Sequence, residues 1–135
     1  MIKWAGGLLV LLGFGHTLGS YVLTASEHGD SWFSAELWQP EEGITEMSSA
    51  MGSFWLTTGS FGVPLIVLGM VVLWLDRRGI VPPSFIAWTL GVWSVVGAVM
   101  LEPAPWVLAW IAVGLLALGA RRARFTESTP QLSGV

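Results

Sequence analysis

The stretch WAGGLLVLLGFGHTLGSYVLT, residues 4–24, decides the fold class. It contains no acidic or basic residue other than His16, and it meets the requirement of about 20 mainly apolar residues for crossing a bilayer. Lys3 precedes it in the manner of a signal peptide. The run is nevertheless long for one and lacks a small-x-small cleavage site near Ala25, so it reads as a retained spanning segment. Three further stretches, 54–75, 84–101 and 105–120, have the same character, the last two being somewhat short.

Composition agrees with that reading. The chain is 53% hydrophobic and only 11% charged, with a mean hydropathy of +0.68, whereas soluble domains carry roughly 25% charged residues. Inside lipid every backbone polar group must be satisfied internally, so four apolar segments in one domain imply an all-α, integral membrane four-helix bundle. The absence of cysteine excludes disulfides, zinc-thiolate and iron-sulfur sites, and thiol redox chemistry. Neither a metal site nor a bound cofactor is expected. Membrane lipids are the expected surroundings, and no nucleic acid is expected as a partner.

Orientation follows from the six basic residues, Lys3, Arg77, Arg78, Arg121, Arg122 and Arg124. With four crossings all of them fall on one side. The positive-inside rule then makes both termini and the DRRG turn cytoplasmic and the chain a multi-pass protein of the cell membrane. The outer loop, 25–53, is acidic, with Glu27, Asp30, Glu36, Glu41, Glu42 and Glu46. Such a loop is either a solvated surface or a cation-attracting vestibule. Within it DSWFSAELW, 30–38, combines a capping residue with Trp32, Phe33, Leu37 and Trp38 on one side. This predicts a short interfacial helix, an anchor or a lid. Met47, Ala50, Met51, Phe54 and Trp55 recur at helical spacing and predict that the second spanning helix projects outward.

The other connections are short. RRGIVPPSF ends one helix at Gly79 and starts the next near Pro83, so consecutive helices are antiparallel neighbours. In LEPAPW the prolines leave a tight outer turn, with Glu102 just ahead of the fourth helix, where a carboxylate caps free amides. Residues 126–135 read as a disordered cytoplasmic tail.

His16 lies about 18 Å from Trp4 and about 12 Å from Thr24 along a helix, slightly to the outer side of the bilayer centre. The second helix brings Thr57, Thr58 and Ser60 to the same half, and Pro64 leaves the Ser60 carbonyl without its helical amide. Ser20 and Tyr21 follow His16 on the first helix. The third adds Trp93 and Ser94, and the fourth adds Trp110. Polar and aromatic groups thus concentrate in the outer half, while AGGLLVLLG and IVLGMVVLWL are nearly all aliphatic. The pattern predicts an outward-facing cavity for a lipophilic small molecule, lined by His16, Ser20, Tyr21, Thr57, Thr58, Ser60, Trp93, Ser94 and Trp110. Equally, Ser, Thr and His in spanning helices serve as packing groups bonded to neighbouring backbone. Both readings of His16 stand at this level.

Gly15 and Gly19 in GHTLG form a small-xxx-small pattern that allows close helix approach, either inside the bundle or in a homodimer. Only a dimer would pair two His16 rings for haem, and haem is not expected, because the other histidine, His28, belongs to the outer loop.

The segments LLVLLGFGHTLG, SFWLTTGSFGVPLIVLG and RRGIVPPSFIAWTLG together resemble a family of small bacterial four-helix membrane proteins of unknown function, over roughly residues 3–119. The resemblance implies a four-helix fold of the broad DoxX-like kind and supplies no catalytic residues.

Two functions follow. One is a non-catalytic bundle that binds a lipophilic ligand or a membrane partner in the outer cavity. The alternative is an intramembrane enzyme, an isomerase or cyclase of a hydrophobic substrate, with His16 moving a proton and Glu102 as the second acid-base group.

Overall fold

The computed structural model describes residues 1–34, 37, 46–100 and 105–127. Among these all regular structure is helical: α1 (Ile2–Phe33), α2 (Ser49–Thr57), α3 (Gly62–Arg77), α4 (Ser84–Met100) and α5 (Trp106–Glu127). Three helical stretches, Ile2–Phe33, Ser49–Arg77 and Trp106–Ala123, are long and apolar enough to cross a membrane, and Ser84–Val99 is a shorter apolar helix.

The helix ends follow local chemistry. Ser48 caps α2, its hydroxyl accepting from the Met51 amide at 3.3 Å. At the end of α3, Gly79 takes a φ of +69°, the left-handed conformation that glycine adopts without steric penalty. Ile80 N–H then donates to the Leu75 carbonyl at 2.9 Å and Gly79 N–H to the Asp76 carbonyl at 3.1 Å, a Schellman ending. The expected stop at Gly79 is therefore met, and α4 starts at Ser84, directly after Pro83.

Two helices run further than hydropathy implied. α1 continues past Thr24 to Phe33, since Ser26, Glu27, His28 and Asp30 are polar but do not break a helix, and Gly29 alone costs only about 1 kcal/mol. Asp30 therefore lies in the last turn of α1 and does not cap a new helix. At 32 residues α1 is about 48 Å long. α5 likewise continues past Ala120 through Arg121 and Arg122 to Glu127. Residues 35, 36 and 38 of the expected interfacial helix lie outside the described residues, as do 39–45 of the loop, Glu102 and residues 128–135.

The stretch 54–75, read as one continuous crossing, is interrupted. α2 ends at Thr57, and 58–61 are non-helical before α3 resumes at Gly62. Pro64 is the cause, because its ring clashes with the carbonyl four residues back and it has no amide proton to donate. Restarting the helix at Gly62 puts Pro64 in a first turn, where no intrahelical acceptor is needed.

The chain forms two compact units, Met1–Val10 with Val67–Val135, and Leu11–Ile66. In the first, α4 packs on α5, and Ala5, Leu9, Val72, Ala112, Leu116 and Ala120 are buried. Small residues bring helices close. A Cβ on Gly69 would stand 2.8 Å from the Gly6 carbonyl oxygen, and one on Gly119 would stand 2.7 Å from Ile2 Cγ1.

In the second unit, α2 is tied to the end of α1. The Trp32 indole donates to Ser53 Oγ at 3.0 Å and to the Ala50 carbonyl at 3.2 Å, while its ring meets Tyr21 at 5.6 Å between centroids. Nearer the start of the 11–66 unit, Gly13 on α1 meets Gly62 and Ile66 on α3 without room for a side chain.

Candidate functional site

In the unit 11–66 the break between α2 and α3 faces His16. Nε2 of the imidazole lies 2.7 Å from Ser60 Oγ and 3.3 Å from the Leu56 carbonyl oxygen. The first distance is the usual one for a hydroxyl donor, and the second exceeds the usual N–H to carbonyl range. The direction of the shorter contact follows the imidazole tautomer: with the proton on Nδ1, Ser60 O–H donates to Nε2, and with it on Nε2 the ring donates to Ser60 Oγ and faces the Leu56 carbonyl. The ring also stacks on Phe61, with centroids 4.1 Å apart and planes tilted by 30°. Gly62 permits the approach, since a Cβ there would stand 3.2 Å from His16 Cδ2. His16 and Ser60 are each half-buried. Chemically, this is an alcohol within hydrogen-bonding distance of an imidazole nitrogen.

The other expected site residues of this unit do not join that pair. Thr57, 1% exposed, donates back to the Ser53 and Phe54 carbonyls at 3.0 and 2.9 Å. Ser20 is buried, and its carbonyl accepts from Thr24 Oγ1 at 2.7 Å. Thr17 bonds the Gly13 carbonyl in the same way at 3.0 Å. Such back-bonds satisfy a hydroxyl locally and explain why it is tolerated in an apolar helix. Tyr21 belongs to the Trp32 contact, and Thr58 closes α2, its amide donating to the Phe54 carbonyl at 2.8 Å.

Trp93, Ser94 and Trp110 belong to the other unit. Ser94 is fully buried and donates to the Gly91 carbonyl at 2.9 Å. Trp93 meets Trp106 edge to face at 5.7 Å. Trp110 lines a groove of about 640 Å³ between α4 and α5, whose floor is made by Ala87, Gly91, Gly114 and Ala117. Trp88 is a second aromatic lining residue, and Arg121 is the one charged lining residue among the described residues. Sequence reading did not single out Trp88 and Arg121, which line this groove. The signal was present: small residues four apart on α4 and three apart on α5 mark helix sides able to form a shared trough.

Gly15 and Gly19, expected at a close helix contact, have open space where a Cβ would go. Packing within the single chain therefore does not explain them. Among the described residues, glycines at close helix contacts include Gly6, Gly13, Gly62, Gly69 and Gly119.

These features define a helical protein with segments able to cross a membrane and with a half-buried histidine bonded to a serine. The chain belongs to the family of unknown function DUF6463, whose family model matches residues 1–124. No curated protein and no solved structure matches it.

Proposed function

We propose that the protein is a multi-pass protein of the cell membrane, with four crossings in a DoxX-like bundle and both termini cytoplasmic, that binds a lipophilic small molecule. The α4–α5 groove carries this reading. Its lining is apolar apart from Arg121, its volume of about 640 Å³ falls in the range typical of small-molecule sites, and two tryptophans offer rigid walls. Arg121 favours an amphiphile with an anionic head and an aliphatic tail: the guanidinium pairs with the head, and the tail covers the glycine and alanine floor.

Gly114 provides the test, because it lines the groove and a Cβ added there meets nothing within 4 Å, so a larger side chain starts out into open space. A diazirine-bearing anionic phospholipid is irradiated with the purified protein in nanodiscs, beside its zwitterionic counterpart. The reading expects adducts on α4 and α5 that are lost in Gly114→Leu, and an anionic preference that is lost in Arg121→Gln. Adducts unaffected by Gly114→Leu contradict it.

A further inference from the structure

We propose that Ser60 and His16 form a membrane-embedded nucleophile-base dyad for acyl transfer from a lipophilic carboxylic ester. The inference stands apart from the α4–α5 groove and rests on the second unit alone.

Four observations carry it. Ser60 Oγ and His16 Nε2 are 2.7 Å apart, within the reach that serine activation needs. The imidazole is held by its stack on Phe61. Ser60 lies in a helix break, so its hydroxyl is not committed to a carbonyl one turn back, unlike those of Thr17, Thr24, Thr57 and Ser94. Finally, both residues are only half-buried, so a substrate carbonyl has access to them.

The step balances as ordinary acyl transfer. Ser60 Oγ attacks the ester carbonyl carbon while its proton moves to Nε2. The Leu56 carbonyl, 3.3 Å from Nε2 and able only to accept, then holds that proton together with the substrate oxygens. Collapse of the tetrahedral adduct breaks the bond to the alkoxy leaving group, which takes the proton from Nε2. Water then releases the acyl group: it gives a proton to Nε2, its oxygen bonds to the acyl carbon, and Ser60 Oγ departs and recovers the proton. α3 begins two residues after Ser60, and since Pro64 has no N–H and the Leu65 amide donates to the Phe61 carbonyl at 2.9 Å, the amides of Gly62 and Val63 are the first-turn donors left to suit an oxyanion.

The setting selects the substrate. Leu56 and Val63 are exposed apolar residues flanking the break, and Phe61 adds an aromatic face. Among the described residues no carboxylate pairs with the His16 ring. A dyad without that third member is suited to esters, whose alkoxide departs more readily than an amide nitrogen.

The full chain in nanodiscs is treated with an alkyl fluorophosphonate, and the adduct is located by peptide mass spectrometry. The dyad expects one adduct, on Ser60, absent in Ser60→Ala and formed at least about 100-fold more slowly in His16→Gln. No adduct in the native protein, or an adduct that survives Ser60→Ala, overturns it. Ser60→Cys guards against a folding defect, because the chain has no cysteine of its own and the introduced thiol is the sole one. Iodoacetamide should alkylate that thiol at pH 7 at least about tenfold faster than in the Ser60→Cys/His16→Gln double variant, and equal rates overturn the proposal.

Discussion

Gly13 of α1 and Gly62 of α3 meet backbone to backbone. A Cβ on Gly13 would collide with the Gly62 carbonyl oxygen, and a Cβ on Gly62 would stand 3.1 Å from the Gly13 carbonyl oxygen. The obstacle at Gly13 is backbone and cannot yield without moving a helix, while the nearest obstacle at Gly62 is the Thr17 hydroxyl, itself bonded to the Gly13 carbonyl. The same contact sets how near His16 comes to the break, since the imidazole lies one turn beyond Gly13.

Gly13→Ala and Gly62→Ala are therefore expected to destabilise the protein by about 1–3 kcal/mol each, the usual effect of overpacking. The thermal midpoint followed by circular dichroism in detergent checks this. Gly15→Ala is the contrasting variant: with open space at Cβ it should be neutral or raise helix stability by up to about 1 kcal/mol. A larger loss for Gly15→Ala than for Gly13→Ala would contradict the assignment of the contact glycines.

The open side of α1 around Gly15 and Gly19 is proposed to meet a second copy of the chain. Gly15→Leu with Gly19→Leu should leave the thermal midpoint of the monomer in place and remove the dimer captured by chemical cross-linking in membranes. A dimer that persists in the double variant places the contact elsewhere.

Trp32 joins the end of α1 to α2 through two bonds from one N–H. Trp32→Phe keeps the ring and removes the donor, so a loss of roughly 1 kcal/mol is expected. Hydrogen exchange should report it chiefly as faster exchange of the α2 amides. Unchanged exchange at Met51 to Thr57 would mean that α2 is held by its apolar contacts alone.

Topology is checked with single cysteines in the cysteine-free chain. Ser34→Cys, just past α1, should react with an impermeant maleimide in intact cells, and Ile80→Cys, 49% exposed in the turn after α3, should react only after lysis. The opposite pattern would reverse the positive-inside assignment.

The sequence carried the helical class, a helix stop at Gly79 and the start of the next helix near Pro83, because these depend on local chemistry: apolar run length, a glycine and a proline pair. The helices α1 and α5 run on past the apolar stretches read from it. Hydropathy reports where lipid solvation stops, whereas a helix continues until something breaks it, and neither Ala25–Phe33 nor Arg121–Glu127 contains a breaker. Pro64 announced a freed carbonyl but not an open break, since whether a proline kinks a helix or restarts it depends on what the neighbouring helix offers. The hydroxyls of Thr57 and Ser94 looked like cavity lining, and each is satisfied by a carbonyl of its own helix.

By itself the sequence determined that this chain folds as apolar helices and that a histidine lies within one of them, since solvent transfer and backbone hydrogen bonding act residue by residue along the chain. Only the tertiary structure decided which glycines touch, that Ser60 meets His16, and that Trp88 and Arg121 share a groove with Trp110. Those facts depend on the register between helices distant in sequence, set by backbone contacts such as Gly13 with Gly62, where a slip of one residue would turn each side chain about 100° around its helix.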